Sequence, residues 1–406
     1  MKIRAVDYMG NLGGGIRFAV EMLRAMAQLT PDHSYELISH GGPYKRYREI
    51  FENTAPNIKV IDLSPAGSWR NKRSLKNVPL PGKKIIKQLL GQYTKWHSDI
   101  PENLFDHCDV LWLPWIHWHR VPASRSSKVV ASLHDAIIFE YETGITPIRV
   151  EDERATIQQW LNSDAEIVVS SNATSKTLIR LFGTETSRFK VVPLSGEHAP
   201  STRKAELPSE WEWKKDKYLI YAANISPHKN HEVLFDAYAA WGEGNPLVLT
   251  GEDADLQGTE RGLELKRYAE ALGLTLQKSL IPLGYVPSEI YDCLLDNAWA
   301  MVMCSLAEGG GSFPVWEAML RGLPVLCSDI PVMREHIERT RGEVIWFDPY
   351  DSSDLAGKLR YLNENYESIK IAADKQVNRL KHRTWKDVAR EYLQIFDARA
   401  QNKREV

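Results

Sequence analysis

Two carboxylates bracket a run of small residues, Glu308-Gly309-Gly310-Gly311-Ser312-Phe313-Pro314-Val315-Trp316-Glu317. The run follows the apolar stretch Ala300–Cys304 and opens what reads as a short helix over Pro314–Arg321. Glycines let backbone N–H groups come close to a ligand. A helix N-terminus favours an anion there, such as a diphosphate. Carboxylates accept hydrogen bonds from paired hydroxyls, like those of a ribose or a pyranose. A diphosphate joined to vicinal hydroxyls describes a nucleotide sugar.

Three other segments hold residues with chemistry. Gly10-Asn11-Leu12-Gly13-Gly14-Gly15-Ile16-Arg17 follows the first strand-like run and precedes an amphipathic stretch. It lacks both the spacing of a nicotinamide-binding fingerprint and the Gly-Lys-Ser/Thr of a P-loop, so it is either a ligand-facing loop or a plain tight turn. Tyr221-Ala222-Ala223-Asn224-Ile225-Ser226-Pro227-His228-Lys229-Asn230 puts Lys229 at the mouth of a strand. A lysine there either neutralises a phosphate as a point charge or is simply solvated. Leu133-His134-Asp135 ends another strand, where a histidine either touches a ligand or is a buried structural residue. Asp253 and Asp255 form an Asp-x-Asp after Gly251 and read as a loop rather than a metal site.

The elements that must carry these groups alternate in type. Strand-like runs cover Lys2–Val6, Tyr35–Ser39, Ile58–Leu63, Asp109–Leu113, Lys128–Leu133, Glu166–Ser170 and Lys190–Pro193. A second series covers Tyr218–Ala222, Leu247–Thr250, Ser279–Leu283, Ala300–Cys304, Pro324–Cys327 and Val344–Phe347. Helical patterns such as Phe18–Leu29, Ala155–Leu161, Ser175–Leu181, His231–Ala240 and Glu260–Leu272 lie between them. Such alternation predicts an α/β protein with parallel sheets built from βαβ units. The 406 residues exceed one ordinary core, so two doubly wound domains are expected, with ligands outside the carboxyl ends of the strands. The boundary falls near Ser195–Lys215, giving domains over 1–200 and 201–383. A last helix over 384–406 is expected to begin with Thr384 as its N-cap.

Composition excludes several classes. A net charge of −2 argues against nucleic acid as a partner. Cys108, Cys293, Cys304 and Cys327 are widely spaced, which argues against a zinc site or a disulfide framework. No apolar stretch reaches transmembrane length and no signal-peptide core follows Met1, so a cytoplasmic location is expected.

In order along the chain, the glycine loop, the His-Asp strand end, Ser-Pro-x-Lys-Asn, Leu249-Thr250-Gly251, Leu283-Gly284-Tyr285-Val286 and the two-glutamate run resemble the family-4 glycosyltransferases of the GT-B fold, the group 1 type. The resemblance implies two Rossmann-like domains facing across a cleft, an acceptor-binding one and a donor-binding one, and a C-terminal helix crossing back to the first. It implies a retaining, metal-independent hexosyl transfer with no cofactor beyond the nucleoside-diphosphate sugar. Gly13 and Gly14 would meet the diphosphate or sugar, and His134 would lie beside the sugar. Lys229 would stabilise the departing diphosphate, with Asn224 near it. Glu308 would hold sugar hydroxyls. Gly310, Gly311, Ser312 and Phe313 would offer backbone groups, and Glu317 would grip the ribose. GDP-mannose and dTDP-rhamnose are the donors the general look of Ser226-Pro227-His228-Lys229-Asn230 suggests. Two features depart from the family: eight residues rather than seven separate the glutamates, and Asn224 stands where many relatives have arginine.

The acceptor side has its own signal. Arg70, Lys72, Arg73, Lys76, Lys83, Lys84, Lys87 and Lys95 occur with no acidic residue among them, interleaved with Trp69, Tyr93, Trp96 and aliphatic residues. Residues 69–96 therefore suit either peripheral contact with an anionic membrane carrying a lipid-linked glycan acceptor, or a basic loop beside the acceptor. Trp112, Trp115, His117, Trp118 and His119 form an aromatic cluster that either stacks on acceptor sugars or fills a core corner. Two other readings compete with a transferase: a GT-B-like sugar-nucleotide epimerase, and a non-catalytic sugar-nucleotide-binding scaffold.

Overall fold

The computed structural model describes residues 1–8, 14–52, 55–63, 97–122, 124–143, 145–196, 206–209, 211, 217–243 and 245–401. Seven strands form one sheet: β1 (Lys2–Val6), β2 (Ser34–Ser39), β3 (Ile58–Asp62), β4 (Val110–Leu113), β5 (Val129–Ser132), β6 (Glu166–Val169) and β7 (Phe189–Val191), in the order β3-β2-β1-β4-β5-β6-β7. Six form the other: β8 (Leu219–Ala222), β9 (Leu247–Thr250), β10 (Leu280–Gly284), β11 (Ala300–Met303), β12 (Val325–Ser328) and β13 (Ile345–Phe347), in the order β10-β9-β8-β11-β12-β13. Neighbouring strands run parallel, as β1 does with β2 and β4, and β8 with β9 and β11. In each sheet the strand order reverses once, between β1 and β4 and between β8 and β11. A crevice opens at such a switch point because the crossovers on its two sides leave by opposite faces.

The chain divides into two compact units. The first comprises Met1–Leu133, Thr146–Val168 and Ala389–Val406; the second comprises His134–Ile145 and Val169–Val388. In the second unit, strand alternation sorts side chains to two cores. Leu219, Tyr221, Leu247, Leu249, Ala300 and Val302 pack on one face of the sheet. Tyr218, Ile220, Val248, Met301 and Met303 pack on the other. A strand buried on both faces reads as a continuous apolar run, which is why the central strands were visible in the sequence. Trp241, Trp299 and Tyr366 stack within the first of these cores, with centroids 5.8 and 5.2 Å apart.

In the first unit, Trp112 on β4 is fully buried, and its ring lies 5.8 Å from Phe18, 5.9 Å from Tyr392 and 6.1 Å from Phe396. The Tyr392 hydroxyl is 2.9 Å from Ser132 Oγ. The helix Trp385–Gln401 thus supplies core residues to the first unit from Ala389 onward. Its start is fixed as the sequence suggested: Thr384 Oγ1 accepts from the backbone N–H of Asp387, whose carboxylate accepts from the Thr384 N–H. That is a reciprocal capping box.

Trp112, His117 and His119 are buried, and the Trp160 indole donates to the His119 carbonyl at 2.7 Å. These members of the aromatic cluster after β4 therefore fill a core corner rather than an open surface. Residues 69–96 lie outside the described residues. Among the described residues no helix is long and apolar enough to cross a membrane.

Candidate functional site

The two strands that flank the switch point of the second sheet, β8 and β11, each deliver one charged group. After β8 the chain makes a one-turn 3-10 helix, Pro227–Lys229, which Asn230 ends in the left-handed region at φ 61°. The Asn230 side-chain amide donates to the carbonyls of Pro349 (2.7 Å) and Cys304 (3.3 Å). The buried Tyr221 hydroxyl donates to the Lys229 carbonyl at 2.5 Å, and the Leu306 N–H to the His228 carbonyl at 2.8 Å. The loops after β8 and β11 are therefore tied backbone to backbone, and neither can shift alone.

That tie sets the central contact. Lys229 Nζ lies 2.5 Å from Glu308 Oε1, with side chains 16% and 14% exposed. Ser305 Oγ donates to the same carboxylate oxygen at 2.7 Å. An ammonium has three donors and a carboxylate about four acceptor sites. Both bonds fall on Oε1, so among the described residues Oε2 and two ammonium hydrogens remain for a ligand. Glu308 also forms part of the wall of a cleft of about 240 Å³, together with Ile137, Tyr141, Thr174, Thr177 and Val332.

The glycines after Glu308 are there because their neighbours leave no room for Cβ. A Cβ at Gly309 would stand 2.6 Å from the His134 carbonyl oxygen, and one at Gly310 2.5 Å from Ser170 Cβ. Gly311 has φ +110°, and a Cβ there would stand 2.3 Å from His336 Nδ1. The run leads into the helix Phe313–Leu320, with Ser312 as N-cap and Pro314 in its first turn. The helix begins one residue earlier than the expected Pro314. Glu317, inside this helix, is 1% exposed. Phe313 packs near Trp385 at 6.0 Å between centroids.

His134 is 5% exposed, and its Nδ1 is 2.5 Å from Ser170 Oγ. Its backbone adjoins Gly309, so the strand end and the glycine run meet. Asn224 is exposed, and its Oδ1 accepts from the Ser226 N–H at 3.2 Å, closing its own turn. Gly14 opens the helix Gly14–Leu29 of the first unit, and Gly13 lies outside the described residues. Asp255 Oδ1 accepts from the Gln257 N–H at 3.2 Å. Among the described residues, no three His, Cys, Asp or Glu side chains stand close enough to hold a metal ion.

His228, His231 and His336 carry no charge at neutral pH. Burial, then the Lys229 charge, pushes His228 down to about 4. Burial and then Arg261 push His231 down to about 3, and burial with Arg339 pushes His336 down to about 3. Among these groups the fixed positive charge beside Glu308 is that of Lys229. The residues missed in the sequence are Ser305 and Tyr221, which bond to the Glu308 carboxylate and the Lys229 carbonyl, and Ser171 and Thr174, which bond to the Gly309 carbonyl. Small hydroxyl residues at strand ends are common, and the N-cap pattern of Ser170-Ser171-Asn172 offers a signal for one of them, Ser171.

Residues 203–379 match the family model described as glycosyl transferases group 1. O-antigen chain mannosyltransferase B of Escherichia coli is 25% identical over 285 residues, covering 67% of this chain and 71% of the relative. O-antigen chain mannosyltransferase RfbU of Salmonella typhimurium is 21% identical over 252 residues, covering 62% of this chain and 65% of the relative. Among solved structures, Anabaena Alr3699/HepE in complex with UDP-glucose aligns with a TM-score of 0.60 at 16% identity, covering 100% of both chains. With two doubly wound sheets, a charged pair at the switch point of the second and a glycine run opening a helix beside it, the chain has the GT-B fold, and its residues 203–379 match the group 1 glycosyltransferase domain.

Proposed function

We propose that the protein transfers a mannosyl residue from a nucleoside-diphosphate mannose, GDP-mannose being the first candidate, to a glycan or lipid-linked glycan during surface polysaccharide assembly. The observation that carries this reading is the Lys229–Glu308 pair, with donors and an oxygen unused among the described residues, at the C-terminal ends of β8 and β11. The mannosyltransferase relatives favour mannose over the deoxyhexose of dTDP-rhamnose.

As the glycosyl–phosphate bond breaks, negative charge grows on the leaving diphosphate. Lys229 and the N–H groups at the start of the Phe313–Leu320 helix, held in place beforehand, stabilise that charge, and such groups lower a barrier because they need no reorganisation. Glu308 Oε2 accepts from hydroxyls of the sugar, and Glu317 accepts from those of the ribose. The acceptor attacks on the leaving-group face, and the departing phosphate oxygen takes its proton, so configuration is retained without an enzyme nucleophile. No metal is required, because the cation and backbone donors take its place. The basic segment 69–96 brings the first unit to an anionic membrane. Sedimentation with anionic vesicles at low salt, lost as salt rises, is the expected result, and failure to sediment at low salt would remove this part of the proposal.

The direct test is incubation of the purified protein with GDP-mannose, dTDP-rhamnose or UDP-glucose and a lipid-linked glycan acceptor. Mannosyl product with the donor's anomeric configuration, read by NMR, is expected from the first donor. Transfer from none of the three, or an inverted product, would overturn the reading.

A further inference from the structure

We propose that Ser171 and Thr174 are positioning residues for the transfer, acting through the Gly309 carbonyl to aim the Glu308 carboxylate. This rests on the reading that Glu308 holds the donor sugar. The Gly309 carbonyl, one residue beyond Glu308, accepts from Ser171 Oγ at 3.0 Å and from Thr174 Oγ1 at 2.9 Å. Ser171 Oγ is also 2.9 Å from Thr174 Oγ1. Each hydroxyl has one proton. Either both donate to the Gly309 carbonyl, or Ser171 donates to Thr174, which donates to that carbonyl at 2.9 Å in preference to the His134 carbonyl at 3.4 Å. Both arrangements fix the same oxygen.

The backbone of Glu308 needs that constraint. On its N-terminal side, the Ser305 hydroxyl and the Leu306 N–H hold the loop. On its C-terminal side come three glycines, the residue type with the most backbone freedom. The clamp supplies there what side chains cannot. Its own base is firm. Ser171 and Thr174 are 2% and 5% exposed, and Ser171 Oγ accepts from the Thr174 N–H at 3.0 Å as the N-cap of the helix Asn172–Phe182. The first-turn donors of that helix are taken by one carboxylate: Glu335 accepts from the N–H groups of Asn172 (2.9 Å) and Ala173 (2.8 Å) and from the Asn172 side-chain amide (3.0 Å). His336, the next residue, walls Gly311. The helix Pro331–Thr340 therefore braces both ends of the glycine run, Gly311 directly and Gly309 through the clamp.

Displacing a reacting group by about 1 Å can cost on the order of 100-fold in rate. Thr174→Val keeps the shape and removes the proton; Thr174→Ser keeps the proton. Ser171→Asp retains a good helix cap but cannot donate to Gly309. We expect Thr174→Val and Ser171→Asp to lower kcat by about 10- to 100-fold, with nucleoside-diphosphate affinity and melting temperature close to wild type. Thr174→Ser should recover most of the loss. Wild-type kcat in both Thr174→Val and Ser171→Asp would overturn the clamp, as would Thr174→Ser being as slow as Thr174→Val. Nucleoside-diphosphate affinity that falls in step with kcat would also overturn it, since the clamp then supports the nucleotide site as a whole. Should Thr174→Val fail to fold, Ser171→Asp decides alone. An active wild type with equally active variants removes only the clamp, whereas a wild type with no transfer from any donor removes the functional reading and the clamp with it.

Discussion

Glu153 in the first unit and Glu308 in the second both lie among basic side chains, and they use their oxygens differently. Glu153 is fully buried on the helix Pro147–Leu161. Its Oε1 is 2.7 Å from His117 Nδ1, its Oε2 is 2.7 Å from His97 Nε2, and the Trp118 N–H donates to both at 3.3 Å. Burial alone would raise its pKa, but the hydrogen bonds from His117 and His97 outweigh that and hold it down at about 2. Glu308 stands on the wall of a cleft, with one oxygen engaged by Lys229 and Ser305 and the other open among the described residues. A carboxylate bonded through both oxygens and shut off from water has nothing left to offer a substrate. One that is pre-aimed and half engaged does. Bonding to charge marks both residues; the unspent valence distinguishes the site from the scaffold.

The comparison breaks most visibly on the structural side. Glu153→Gln removes one partner of a buried charged cluster, a change that costs about 3–5 kcal/mol. Denaturant unfolding should show that loss, while kcat of the folded fraction stays near wild type. The pH dependence has a definite sign. A carboxylate held from its ordinary value of 4.5 down to about 2 stabilises the fold above pH 4.5, and that stabilisation is lost as pH falls towards 2. Wild-type stability should therefore drop more steeply than that of Glu153→Gln across this interval. Parallel curves would show that Glu153 is not the carboxylate responsible.

On the functional side the losses should reverse. Lys229→Ala leaves the cores intact and removes the fixed charge beside the leaving group. We expect kcat to fall about 100- to 1,000-fold, with a smaller rise in donor KM and little change in melting temperature. An effect confined to KM would reduce Lys229 to a docking residue. The smallest effect concerns metal: transfer should proceed unchanged in excess chelator. Loss of activity with rescue by manganese or magnesium would return Asp253 and Asp255 to consideration.

The contrast between the two glutamates was only half legible in the sequence. Glu308 stood out because it adjoins three glycines and a helix start, features that depend on local spacing. Glu153 did not, because its partners His97 and His117 lie 56 and 36 residues away and no local pattern joins them. Strands were read well for the same reason in reverse. A strand buried on both faces writes its own apolar run, so β1 and β9 match Lys2–Val6 and Leu247–Thr250 residue for residue. Helix starts at His231 and Glu260 were read in place, but others were read late. The helices Pro147–Leu161 and Asn172–Phe182 begin eight and three residues before the expected Ala155 and Ser175. The first turn of the helix Asn172–Phe182 is polar and held by the Ser171 cap, and that of Pro147–Leu161 opens on Pro147 with Ile148 exposed, so neither start shows as a buried apolar period. The hydroxyl clamp on Gly309 escaped entirely, since Ser171 and Gly309 are 138 residues apart and meet only in the fold.

The central claim is that the open oxygen of Glu308 reads the sugar while Lys229 reads the diphosphate. Calorimetric titration of GDP-mannose and of GDP into wild type and Glu308→Gln tests it directly. Wild type should bind the sugar nucleotide more tightly than GDP. Glu308→Gln should lose that increment, about 1.5–3 kcal/mol for a charge-assisted contact, while its GDP affinity holds or rises because Lys229 is released from its ion pair. A Glu308→Gln protein that keeps the full preference for GDP-mannose over GDP would contradict the account.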